Sequence, residues 1–311
     1  MPTDTQTTNS VIMIRPVSFT SNPETAASNS FQATIGDEDP EKIRLAAQDE
    51  FDALRSALEA AGVEVLAFDD QPDPVTPDAL FPNNWFSTHS DGSVILYPME
   101  APSRRAERRQ DLLERLKEQH GYQVKSVHDL SHNEDKDRFL EGTGSLVLDR
   151  KNRIAYACLS SRTHPALFHD WCERFDYEPE AFSAASDGKE IYHSNVMLCV
   201  GDSFAVICDE AIPDEQERIR VLSRLERTGH EVVRISSKQM NTFAGNMLEL
   251  KTSSGHGVLA MSQQARDVLT KDQVAVLERH VKLVSSDIRT IETYAGGSVR
   301  CMLAENFLPK S

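Results

Sequence analysis

The sequence predicts an α/β protein built as one closed five-bladed propeller, and three observations predict it. Strand-like and helix-like runs alternate along all 311 residues in the order strand, strand, helix, strand. The first strand of each unit opens with a polar or glycine-containing cluster, at Asn83 (FPNNWF), Glu141 (EGTGSL), His193 (HSNVML), Gly245 (GNMLEL) and Gly297 (GGSVRCML), with spacings of 58, 52, 52 and 52 residues. A period of about 50 belongs to arrays in which one unit cannot bury its apolar face without neighbours. Third, every unit carries a helix, which excludes an all-strand kelch-type propeller of similar period. A doubly wound sheet is excluded because two strands joined by a short turn precede each helix.

The elements follow in order. MPTDTQTTNS reads as a disordered tail over residues 1–10, leaving one domain over 11–311. VIMIRPV is an apolar strand, and EKIRLAAQDEFDALRSALEAAG places Ile43, Ala46, Ala47, Phe51, Leu54 and Leu58 at helical spacing with Gly62 as the stop. VEVLAFDD is a strand; NWFSTH and SVILYPM pair across Ser90, Asp91 and Gly92, and a helix is expected from about Ser103 to His120. GSLVLD and RIAYACLS precede a helix from about His164, and VMLCV and FAVIC precede one from about Asp214 to Thr228. MLEL and GVLAMS precede a helix around 271–281 and a last short strand.

Composition narrows the function classes. A hydrophobic fraction of 39% with 26% charged residues suits a soluble globular chain, and a net charge of −16 disfavours nucleic acid and anionic membrane surfaces. No apolar run approaches the ~20 residues of a membrane helix, and the polar first ten residues hold no signal core, so a cytoplasmic location is expected. The cysteines, Cys158, Cys172, Cys199, Cys208 and Cys301, are odd in number and lack any CxxC pair, which reads as reduced thiols without a disulfide framework or a zinc site.

Residues that open the units converge if the repeat closes on an axis. Those positions hold Asn83 and Asn84, Glu141, His193, Gly245 and Asn246, and Cys301. A thiol, an imidazole and a carboxylate are the parts of an activated cysteine nucleophile: the thiolate attacks, the histidine moves protons and the acid orients it. Cys301 follows GGSVR, where glycines permit close backbone approach and Arg300 favours a thiolate. The other four cysteines read as small buried hydrophobes. His128, Asp129, His132, Glu134 and Asp135 cluster in a highly polar stretch that reads as a solvated loop and not a metal site. The glycines of EGTGSL are no dinucleotide fingerprint, because a strand hairpin and no helix N-terminus is expected after them.

FPNNWFSTH, HSNVML and GGSVRCML together resemble the guanidine-modifying (pentein) superfamily, nearest to its citrulline-utilisation hydrolase branch, over roughly residues 11–308. The resemblance implies a pentein catalytic domain with Cys301 as nucleophile, His193 as general acid and base, and Glu141 as its orienting acid. It also implies that Arg162, in a segment similar to the family's LS-x-RT, holds a substrate carboxylate, with Asn84, Asn195, Asn83, Phe81 and Arg300 about the head group. Deiminases carry aspartates where this chain has Asn84 and Asn195, which points to a neutral ureido head. The expected reaction is cofactor-free and metal-free hydrolysis of citrulline to ornithine, ammonia and carbon dioxide. Arginine dihydrolase or deiminase, dimethylarginine hydrolase and amidinotransferase activities share the same site. A non-catalytic binding protein of this fold would lack the triad. The expected partner is a small molecule, with homo-oligomerisation left open.

Overall fold

The repeat in the sequence is a unit of three strands. In the computed structural model, which describes residues 5–26, 29, 31–33, 36 and 38–310, Phe86–Thr88 pairs antiparallel with Ser93–Leu96, and Ser126–Asp129 then lies parallel to Ser93–Leu96. The order recurs in Val147–Asp149, Ile154–Leu159 and Glu178–Ser183, then in Leu198–Val200, Phe204–Ile207 and Glu231–Arg234. It recurs again in Leu248–Lys251, Gly257–Ser262 and Lys282–Ser286. A hairpin needs only a short turn, whereas the parallel partner requires a crossover, which is where the helix of each unit sits.

One unit is divided between the chain ends. Ser10–Arg15 lies parallel to Glu64–Asp69 and takes Ala304–Glu305 as its antiparallel partner, with Val11 opposite Glu305. Among the described residues the strands thus form five three-stranded sheets, none closed on itself, and a two-stranded ribbon. The α/β class and the strand, strand, helix, strand order agree with the sequence reading. Phe204–Ile207 is buried throughout and Ile154–Leu159 nearly so, as befits strands covered on both faces.

Helix Pro40–Ala60 shows how the local sequence sets an element. The Asp39 side chain accepts the Glu41 N–H at its start, with proline at the first helical position. Ile43, Ala47, Phe51, Leu54 and Leu58 form its buried face, which packs on Lys282–Ser286 and Arg289–Ala295. Gly62 ends it at φ +92°, a conformation costly for any residue with a Cβ.

Three expectations need correction. Residues 6–10 are not a disordered tail: Gln6, Thr7, Thr8 and Ser10 are buried, and the Gln6 amide donates to the carbonyls of Leu148 and Val200, while residues 1–4 lie outside the described residues. A polar segment here satisfies backbone groups of two sheets, which composition alone does not reveal. The helix expected over 103–120 is two, Pro102–Arg105 and Gln110–Glu118, because Arg104 and Glu107 turn inward as a buried ion pair. The glycine cluster after Glu141 does form a helical turn, Gly142–Ser145, before its strand. Among the described residues no helix is long and apolar enough to cross a membrane, and no group of side chains has the makings of a metal site. Within the stretch holding His128 and His132, Glu134 is taken by Arg105 and Arg108.

Candidate active site

Four of the five unit openings are single helical turns. Pro82–Asn84, Gly142–Ser145, Ser194–Val196 and Val299–Met302 each precede a strand, and Gly142–Ser145 touches both Pro82–Asn84 and Ser194–Val196. Gly142 makes this possible: at φ +46° an added Cβ would lie 2.3 Å from the Asn83 carbonyl oxygen.

Glu141 and His193 meet there. The His193 Nε2–H donates to Glu141 Oε2 at 2.8 Å, with both residues buried. A carboxylate only accepts, so this bond fixes the tautomer and leaves the Nδ1 lone pair on the side of Gly144. Burial pushes the imidazole down to about 4 against the opposing pull of Glu141, so the ring is neutral at pH 7 and can take a proton. Burial alone would raise the Glu141 carboxyl, but the Arg162 guanidinium and the His193 bond overcome it and hold the group well below the usual carboxylate range.

Cys301 lies in the turn Val299–Met302. Gly297, just before it, sits where a Cβ would come 2.6 Å from the Phe81 ring, so this glycine lets the turn press against Pro82–Asn84. The side-chain amides of Asn195 and Asn246 donate to Cys301 Sγ at 3.5 and 3.4 Å. The other four cysteines are buried and unpaired; burial pushes Cys158, Cys172 and Cys199 up to about 12, which keeps them as inert thiols.

A small cavity has Cys301, His193, Asn84, Phe81 and Arg162 in its wall, together with Asp78, Arg104, Tyr192, Thr25 and Asn29. Arg162 is buried: it meets Glu141 and Glu100 at 3.4 and 3.3 Å, and its guanidinium lies over the Tyr192 ring. Asn84 Oδ1 accepts from Arg104 Nη1 at 2.7 Å, and its Nδ2 donates to Asn83 Oδ1 at 3.1 Å.

Three expected site residues stand elsewhere. Asn83 lies behind Asn84, and Asn195 lies behind the sulfur and not in the cavity wall. Arg300 is turned away: its guanidinium donates to the Leu303 carbonyl and to Glu305, and it faces a different cavity beside Gln6 and Glu249, because the Glu305 carboxylate draws it there.

Sequence reasoning missed Asp78 and Arg104, and it placed Asn246 at a unit opening without giving it a role. Asp78 Oδ2 accepts from Asn22 at 2.8 Å, while Oδ1 is buried with no hydrogen-bond partner among the described residues. A lone acid ahead of the apolar ALFP run was its only signal. Arg104 lay among the several charges of SRRAERR, at the start of the helix expected over 103–120, with nothing to single it out. Asn246 carried a signal, since it follows Gly245 at an opening of the repeat.

A family model described as N,N-dimethylarginine dimethylhydrolase, eukaryotic, matches residues 15–308. Among solved structures, apo ArgZ, an arginine dihydrolase from the ornithine–ammonia cycle in cyanobacteria, superposes with a TM-score of 0.73 at 16% identity, covering 96% of this chain and 41% of that one. Its substrate-bound N-terminal domain gives 0.72 at 15% identity, covering 95% and 97%. A dimethylarginine dimethylaminohydrolase adduct with S-methyl-L-thiocitrulline gives 0.63 at 14%, covering 96% and 99%. The chain therefore spans about two fifths of full-length ArgZ and nearly all of its N-terminal domain. No curated protein matches by sequence. Identities this low speak for the fold; the family match runs over nearly the whole chain, and the chain accordingly belongs to the N,N-dimethylarginine dimethylhydrolase family of the pentein guanidino-modifying superfamily.

Proposed function

We propose that this protein is a cytoplasmic, cysteine-dependent hydrolase of the C–N bond at the ureido or guanidino end of an arginine-related amino acid, with citrulline as its preferred substrate. The observation that carries this reading is that Cys301 and a neutral His193 backed by Glu141 share one small cavity. His193 Nδ1 takes the thiol proton and the thiolate adds to the ureido carbon. The imidazolium returns that proton to the departing nitrogen as ornithine leaves, and Glu141 stabilises the charge in between. Water then loses a proton to Nδ1 and adds to the S-carbamoyl carbon; the C–S bond breaks, and the carbamic acid released falls to ammonia and carbon dioxide.

The ureido preference rests on Asn84. Arginine has no acceptor, so the atom of Asn84 facing Arg104 is the amide oxygen; one hydrogen of the NH₂ goes to Asn83 and the other is left on the nitrogen that faces Gly144 beside His193. That donor suits a carbonyl oxygen; a guanidinium offers only donors to meet it. A second reading, arginine as substrate, is favoured by the unpartnered Asp78 Oδ1 in the same wall, although that oxygen equally suits the α-ammonium of either amino acid. The five sheets are read as blades about one axis, because Leu198–Val200 touches both Val147–Asp149 and Leu248–Lys251, and Ala304–Glu305 touches Phe86–Thr88.

The test is kcat/KM for citrulline, arginine and dimethylarginine in the wild type and in Asn84→Asp, with ornithine, ammonia and citrulline assayed. Citrulline is expected to lead in the wild type and arginine to gain in the variant. A wild type that prefers arginine tenfold or more overturns the ureido assignment.

A further inference from the structure

We propose that Asn246 is a catalytic residue whose side-chain N–H stabilises the negative charge on the Cys301 sulfur once the thiol proton has left. The inference rests on the reading of Cys301 as nucleophile and adds the group that sustains it. Arg300, the cation adjacent in sequence, bonds Glu305 and the Leu303 carbonyl, so the expected arginine–thiolate pairing is not made. What does meet the sulfur is amide N–H: Asn246 Nδ2 at 3.4 Å and Asn195 Nδ2 at 3.5 Å.

The orientation of Asn246 is dictated by its other contacts. Its Oδ1 accepts the Arg300 backbone N–H at 3.0 Å, and its Nδ2 donates to the Asn195 carbonyl oxygen at 2.9 Å. Backbone N–H groups only donate and carbonyls only accept, so flipping the amide would set donor against donor and acceptor against acceptor. The second Nδ2 hydrogen is therefore left for the sulfur. The amide oxygens of Asn195 and Asn246 lie farther from Sγ, at 3.9 and 3.7 Å, so the surroundings suit sulfur as acceptor better than S–H as donor.

The backbone is built for this placement. Gly245 sits where a Cβ would be 2.4 Å from the Val196 carbonyl oxygen, so only glycine lets the two loops come close enough for Asn246 to reach Asn195 and Cys301 together. Asn246 is itself fully buried, where a dipole aimed at a charge acts with little screening.

The experiment follows alkylation of Cys301 by iodoacetamide, read by peptide mass spectrometry, in the wild type, Asn246→Ala and Asn246→Asp, alongside thermal melting. Asn246→Asp keeps the acceptor for the Arg300 N–H but removes the donor to the sulfur and to the Asn195 carbonyl and sets a negative charge beside the sulfur, whereas Asn246→Ala removes the donor without adding charge. Both variants are expected to alkylate about tenfold more slowly at pH 7, equivalent to about 1.4 kcal/mol, with the gap narrowing as the pH is raised and hydroxide does the deprotonating. A merely structural role would loosen the site and speed alkylation, so an unchanged or faster rate in Asn246→Ala overturns the proposal, even if turnover falls. Turnover that survives Cys301→Ala would instead defeat the nucleophile reading, a separate outcome measured on a separate variant.

Discussion

Gly144→Ala places one methyl group between the two side chains on which the proposed chemistry depends. Built on the existing backbone, its Cβ falls 2.5 Å from Asn84 Nδ2, 2.7 Å from His193 Nδ1 and 2.8 Å from His193 Cε1, where ordinary contact begins at 3.4 Å. The amide must retreat by about 0.9 Å and the imidazole by about 0.7 Å. Neither has room to move cheaply, since Asn84 is held by Arg104 and Asn83, and His193 by Glu141. A displacement of about 1 Å in a catalytic group costs about 10²-fold in rate, whereas one added methyl in a packed interior costs about 1–3 kcal/mol of stability. Steady-state release of ornithine should thus fall about 100-fold in kcat/KM, while circular dichroism reports a folded protein that melts a few degrees lower. A Gly144→Ala enzyme within threefold of wild type would show that Asn84 and His193 are not at the reacting centre.

Two further expectations concern the nucleophile and the base. Cys301→Ala should abolish turnover with the fold intact, whereas Cys158→Ala, at a fully buried strand position, should leave the chemistry and cost about 1 kcal/mol of stability, read by chemical denaturation. The pH profile of kcat/KM should stay flat from pH 8 down through 6.5 and decline only as His193 protonates near 4, so an acid limb at 6.5 would contradict a buried neutral imidazole. The sign for stability follows: the unfolded chain protonates this histidine at its ordinary value of 6.5 and the folded one resists until about 4, so stability is complete above 6.5 and is lost as the pH falls through that window.

Residues marked by the backbone were legible in the sequence. Glu141, His193 and Cys301 stand in phase with the repeat, and the glycines beside Glu141 and Cys301 announce close approach, which the contacts of Gly142, Gly144 and Gly297 bear out. What stayed hidden depends on partners distant along the chain. Gln6 reads as tail until Leu148 and Val200 supply acceptors for it. Arg104 and Glu107 are two charges among many in SRRAERR until Asn84 and Asp78 draw the guanidinium inward. Arg300 was misjudged for the same reason, since the group that claims it, Glu305, lies beyond the motif.

This separation bears on how substrate charge is selected. Asn84 in place of an aspartate states only that a charge is missing; it does not say which end of the amide faces the ligand. Arg104 decides that by taking the oxygen at 2.7 Å, and Arg104 is held in turn by Glu107 through paired bonds of 2.9 Å. Arg104 also lies 3.9 Å from Asp78, the acid whose other oxygen has no hydrogen-bond partner among the described residues. One buried guanidinium therefore bears on two polar groups of the cavity wall, turning Asn84 into a donor and setting a cation beside Asp78. A neutral head group with a carbonyl oxygen, carried on an amino acid with a cationic α-ammonium, satisfies both at once. A guanidinium head satisfies Asp78 alone and opposes donors to Asn84, and the selectivity proposed for this site comes from that mismatch.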